Sequence, residues 1–102
     1  MHITVLTPDK KVFEGEITSV KVPGTLGQFQ VLKNHAPIVS SLQEGAVEIV
    51  TAAGNYDFYD TETGTIQTAN VPGAKIIYKI SGGFIEVLNN EISLLLENIL
   101  KR

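Results

Sequence analysis

The chain contains no cysteine, which excludes a disulfide framework and any thiolate metal site. It has two histidines, His2 and His35, too few for a histidine-rich metal centre. No apolar run approaches the roughly 18 residues that a membrane-spanning helix requires. The opening Met1-His2-Ile3-Thr4 lacks the charged and apolar regions of a signal peptide. Basic residues are also scarce. Eight Lys and Arg stand against 11 Asp and Glu, for a formal charge of −3. A nucleic-acid binder needs a basic face, so that class is disfavoured. Together these absences predict a cytosolic chain with no transmembrane segment.

What remains is a globular composition, with 43% hydrophobic and 19% charged residues. At 102 residues the chain makes a single domain. That length buries roughly two-thirds of its unfolded surface, enough for one core without staples. Most of it alternates with period two. "HITVLT" sets Ile3 and Val5 against Thr4 and Leu6. "GAVEIV" sets Val47 and Ile49 against Glu48. "AKIIYKI" and "GFIEVL" turn Lys79 and Glu86 outward. Such runs between glycine and proline breaks are the half-buried strand signal. Breaks recur at Pro8-Asp9, Gly15, Pro23-Gly24, Gly45, Gly54-Asn55, Gly64, Pro72-Gly73, Gly82-Gly83 and Asn89-Asn90. This spacing predicts an antiparallel sandwich or barrel.

Two segments fit the pattern less well. Residues 51–75 are polar and carry Asp57, Asp60 and Glu62. They read as an inserted hairpin turning near Thr63-Gly64, or as a loop, accessory to the core. In "NEISLLLENILKR", Ile92, Leu95, Leu96, Ile99 and Leu100 fall at helical spacing, and Lys101-Arg102 suit a helix C-terminus. Ile92, Leu94 and Leu96 also fit one face of a strand after an Asn89-Asn90 turn, although periodicity alone slightly favours the helix.

The search for chemistry yields little. His35 has no serine–acid pair to place beside it and reads as a loop histidine satisfying backbone groups or lining a contact surface. Gly24 and Gly27 loosely echo a phosphate loop. That motif needs a lysine and a hydroxyl residue opening a helix, whereas "GTLGQFQVL" leads into a β-like run. Asp57, Asp60 and Glu62 lack the grammar of a calcium loop. Phe13, Phe29 and Phe84 read as core or strand-face residues. The most shaped stretch is "VPGTLGQFQVLKNHAP", residues 22–37, which reads as a docking loop or as an ordinary long hairpin whose glycines serve only its turns. Pro23-Gly24 would end a strand and set a turn.

In order along the chain, Phe13-Glu14-Gly15, Asn34-His35-Ala36-Pro37, Gly45 and Ser81-Gly82-Gly83-Phe84 with Glu86-Val87 resemble the N-terminal domain of the epsilon subunit of F-type ATP synthases. The resemblance covers about four-fifths of the chain. It implies an all-β fold, a flattened β-sandwich of about ten short strands without substantial helix. That sandwich would sit on the enzyme's rotor, with no catalytic site and no cofactor of its own. It implies two partners, the gamma subunit and the membrane c-ring. It also implies a peripheral position on the cytoplasmic face of the bacterial inner membrane. Carried over residue by residue, Thr7, His35 and Ser40 match gamma contacts. Leu26, Gly27 and Gln28 match the tip that rests on the c-ring. The stretch from Glu91 to Glu97 matches the last strand, which favours strand over helix there. Phe13-Glu14-Gly15 matches a turn that follows the first strand. Longer family members continue into two helices that regulate ATP hydrolysis; with the sequence ending at Arg102, the expectation is a short form without them. Acids often stand where this sequence has Leu26 and Gln28. From another class, a stand-alone sandwich binding carbohydrate or peptide through Tyr56, Phe58 and Tyr59 is the alternative. A small enzyme centred on His35 is the third reading.

Overall fold

The computed structural model describes residues 1–100, and every described element is a strand. The strands are β1 (His2–Thr7), β2 (Lys10–Gly24), β3 (Gly27–Leu32), β4 (Ile38–Leu42), β5 (Gly45–Thr51) and β6 (Tyr56–Asp60). They continue with β7 (Thr65–Ala69), β8 (Lys75–Ile80), β9 (Gly83–Leu88), β10 (Glu91–Leu96) and β11 (Ile99–Leu100). The expectation of an all-β fold of about ten strands becomes eleven. Pairing is antiparallel except for β1 beside β10, which is parallel.

β2 organises the two layers. Its first half lies between β1 and β6, and the first layer runs β7-β6-β2-β1-β10-β9-β4. A register shift between Ile17 and Ser19 marks the change of layer. Its second half lies between β3 and β5, and the second layer runs β3-β2-β5-β8-β11. A single pairing of Gly24 with Leu42 joins β2 to β4. The body is flattened, 33 × 27 × 19 Å.

Alternation places the core. Ile3, Val5, Val12, Phe13, Val20, Val47, Ile49, Ile85, Val87, Ile92 and Leu94 are all buried between the layers. Within β10, Ile92, Leu94 and Leu96 face inward while Leu95 faces out, so Glu91–Leu96 is the strand and not the helix. The Asn89-Asn90 turn before it takes positive φ at both residues, 52° and 61°, as a tight hairpin needs. The helix-ending role considered for Lys101-Arg102 lies outside the described residues.

Gly15 is not a break, and Phe13-Glu14-Gly15 is not a turn. β2 runs through all three. A Cβ on Gly15 would stand 2.5 Å from the Cβ of Tyr56, so the glycine lets β6 approach β2. Gly83 has a similar role, since a Cβ there would collide with the Leu95 carbonyl of β10.

The hairpin does turn where expected, with Gly64 at φ 72°. It is not merely accessory. Tyr56 is 5% exposed and its ring stacks on Phe13 at 5.5 Å. Phe58 and Tyr59 also pack against the core. Tyr78 of β8 ties the hairpin down from below: its hydroxyl donates to the Tyr59 carbonyl at 2.8 Å.

Burial pushes the Tyr78 phenol well above its ordinary value, the bond to Tyr59 only partly opposing it. The folded state therefore holds this proton more tightly than the unfolded chain. The stability it contributes is complete below the unfolded value of about 10 and is lost as pH rises above it. Chemical denaturation between pH 9 and 11.5 should show stability falling in the parent and falling less steeply in Tyr78→Phe. Equal slopes would remove Tyr78 from the alkaline transition.

Candidate interaction surface

Residues 22–37 do not form one loop. The chain makes a two-residue turn at Thr25-Leu26, enters β3, and turns again at Lys33–Pro37. The two glycines are needed for that first turn, where Gly24 pairs with Gly27 and Gly27 takes φ 132°. Leu26 stands at the apex, fully exposed. Gly27 and Gln28 already pair with β2, and both are exposed. His35 lies at the other end of β3, roughly 20 Å away at strand rise. Its Nδ1–H donates to the Ala36 carbonyl at 2.7 Å, the backbone role expected of it.

The structure does not gather Thr7, His35 and Ser40 into one patch. Thr7 ends β1, and its hydroxyl donates to Asp9 at 2.8 Å. That bond, with the Lys10 charge behind it, holds the Asp9 carboxyl below its ordinary range. Ser40 sits three strands away, about 14 Å at sheet spacing. It shares a register row with Ile85, Leu94 and Val5, all core residues. Its side chain thus lies on the inner face of β4, half-buried. A charge there would disturb the fold as well as any interface.

The outer face of the same strands is different. Leu6 pairs with Leu95, Leu95 with Phe84, and Phe84 with Ser41, forming one row across four strands. Leu6 is 38% exposed, and Leu95 and Phe84 are each 49% exposed. Val39 and Leu88 stand exposed in neighbouring rows. Beside the row, Pro8, Ser41, Leu42 and Leu96 help line an open groove of ≈ 520 Å³. The Leu26 turn, the groove and Thr7 lie at one end of the sandwich, because Gly24 meets both Gly27 and Leu42 there, and Leu42 meets Gly83. Among the described residues no group of three His, Cys, Asp or Glu could hold a metal ion, and no helix is long and apolar enough to cross a membrane.

The family profile of the ATP synthase delta/epsilon chain beta-sandwich domain matches residues 1–72. The chain belongs to that family. It is 30% identical to the ATP synthase epsilon chain of Salinibacter ruber over 97% of this chain, and spans 59% of that relative's length. It is 35% identical to the ATP synthase epsilon chain of Chlorobaculum tepidum over 95% of this chain and 89% of the relative. Two solved structures share the fold. A chain of the Euglena gracilis mitochondrial ATP synthase OSCP/F1/c-ring assembly superposes with a TM-score of 0.69 at 21% identity, covering 96% of this chain and 51% of that one. A chain of the Tetrahymena thermophila mitochondrial ATP synthase central stalk and c-ring gives 0.69 at 15%, covering 99% and 66%.

Within this delta/epsilon-type domain, motif matching missed the outer row. The signal was present in the sequence. "HITVLT", "GFIEVL" and "EISLLL" carry large apolar residues at both alternate positions, the mark of strands covered on both faces. The three aromatics suggested for a binding module are unsuited to a platform. Tyr56 is buried, Phe58 is packed on the core, and the Lys10 ammonium sits 4.6 Å above the Tyr59 ring.

Proposed function

We propose that this domain is a non-catalytic central-stalk subunit of a proton-translocating F-type ATP synthase, coupling rotation of gamma to the c-ring. The observation that carries the reading is the contiguous apolar row Leu6–Leu95–Phe84, with Val39 and Leu88 exposed on the same face. Exposed apolar patches with polar surrounds mark partner sites. In this reading the row docks on gamma, with Thr7 beside Leu6 at one end and Ser40 supporting it from within, while His35 meets gamma separately, at the Asn89-Asn90 end of the same layer. Leu26, Gly27 and Gln28 rest on the c-ring, and membrane association is peripheral, at the cytoplasmic face in a bacterium. Catalysis belongs to other chains. The whole chain acts as one domain, with 51–75 an inserted hairpin. A packed sandwich suits torque transmission because its cross-strand bonds and core resist shear.

The c-ring contact has a direct test. The turn is neutral, so its contact relies on shape, apolar area and neutral hydrogen bonds, and should vary little with ionic strength. Leu26→Asp or Gln28→Ala should leave ATP hydrolysis running while proton pumping by the reconstituted enzyme falls. Leu26 is fully exposed, so its substitution should leave the melting temperature of the domain unchanged. Full pumping by both variants in intact complexes would reduce this turn to a simple chain reversal.

A further inference from the structure

We propose that the free edge of β7 is a strand-addition site for an extended, cationic segment of another protein chain. This inference stands independently of the stalk reading. Among the described residues β7 pairs with β6 alone, through all five of its residues and without a bulge. Thr65, Ile66, Gln67, Thr68 and Ala69 include no charge and no proline. Natural edge strands are usually guarded by lysine, proline, a bulge or a covering element. Here the outward N–H and C=O groups are left as a template.

Charge selects the partner. From Asn34 to Ala74 the chain has no lysine or arginine, while Asp57, Asp60 and Glu62 lie on the hairpin. Two of the carboxylates lean over β7. Thr68 Oγ1 donates to Asp57 at 2.7 Å, and Gln67 Nε2 donates to Asp60 at 3.2 Å. Lys11 Nζ lies 3.9 Å from Asp57 and also bonds Glu14 at 2.7 Å, and Lys10 Nζ sits 4.6 Å over the Tyr59 ring beside Asp60; both belong to β2, across β6 from the free edge. A strand added outside β7 would lie two strand spacings from β6, about 10 Å, close to the screening length of physiological salt. Lysine or arginine on that strand would feel these acids. A second copy of the same hairpin would meet like charge instead. Ile66, 47% exposed, offers apolar contact to the alternate side chains of an incoming strand.

Two synthetic peptides, alternating Lys-Val and alternating Glu-Val of equal length, provide the test by amide NMR of the whole chain. The Lys-Val peptide should shift and protect amides in Thr65–Ala69 and bind about tenfold more tightly than the Glu-Val peptide, the sum of three modest charge pairs. Added salt should narrow that ratio. Asp57→Asn with Asp60→Asn and Glu62→Gln keeps the acceptors, and should bring the ratio close to one. Ile66→Lys, at a solvent-facing position, should abolish binding with the spectrum otherwise unchanged. No change at β7 with either peptide, equal binding of both by the parent chain, or protection of β7 that grows with protein concentration alone would each overturn the proposal.

Discussion

Replacing Phe84 and Leu95 together by aspartate is expected to weaken the complex with the cognate gamma subunit at least about a hundredfold while the isolated domain stays folded. Both side chains are half exposed in the free domain, so neither charge is forced into the core. In the proposed complex both would lie near the centre of the buried patch, where a few residues carry most of the energy. Each aspartate would lose an apolar contact and leave an unpaired carboxylate out of water, a cost well above that of either effect alone. A hundredfold loss corresponds to about 2.7 kcal/mol, modest for two such positions. Binding measured by surface plasmon resonance, with a thermal melt as the folding control, gives the answer. Parent-like affinity in the folded double variant would take the outer row out of the gamma interface.

Tyr56→Ala is expected to cost about 3 kcal/mol of folding stability. The ring is almost fully buried, stacks on Phe13 and sits 5.8 Å from Phe58, so its removal leaves a cavity between the hairpin and the sandwich. For a domain of this length that loss should lower the melting temperature by roughly 12–24 °C. Val71→Ala, at a residue 55% exposed, should move it by only a degree or two. It follows that replacing residues 55–71 by a short turn removes core as well as loop. Loop-closure entropy alone would have made that deletion nearly neutral. A shift of only a few degrees for Tyr56→Ala would show that the hairpin merely leans on the sandwich.

The layers were legible because the alternation in β5 is clean and the Asn-Asn and Thr-Gly turns punctuate the chain; β10, with three leucines in a row, reads as a strand through the family resemblance. The parallel pairing of β1 with β10 was not. Period-two patterning says which face a residue takes but nothing about which strand lies beside it. Gly15 was misread for a physical reason: a glycine that admits a neighbouring strand and a glycine that turns the chain look alike in sequence. Tyr56 lies in a polar segment, and only the stacking on Phe13 reveals it as core. The site was less legible than the fold. Motif matching picked Thr7, His35 and Ser40 one at a time, and the register shows them dispersed, with Ser40 on the inner face. Apolar residues at both alternate positions marked β1, β9 and β10 as covered on both faces, but that Leu6, Leu95 and Phe84 form one row depends on pairings between residues as distant in sequence as Leu6 and Leu95.

The chain has no cysteine, so a single introduced thiol reports one place on its surface. Leu95→Cys would sit on the outer face of the first layer, and Ile77→Cys, at a residue 54% exposed, on the outer face of the second. Maleimide modification rates of both, free and assembled in the ATP synthase of the host membrane, test the central claim directly. Docking of the first layer on gamma predicts that the Cys at position 95 reacts readily in the free chain and is blocked in the assembly, while the Cys at position 77 reacts equally in both. An unblocked thiol at 95 in assembled enzyme, or a thiol at 77 blocked in its place, would contradict it.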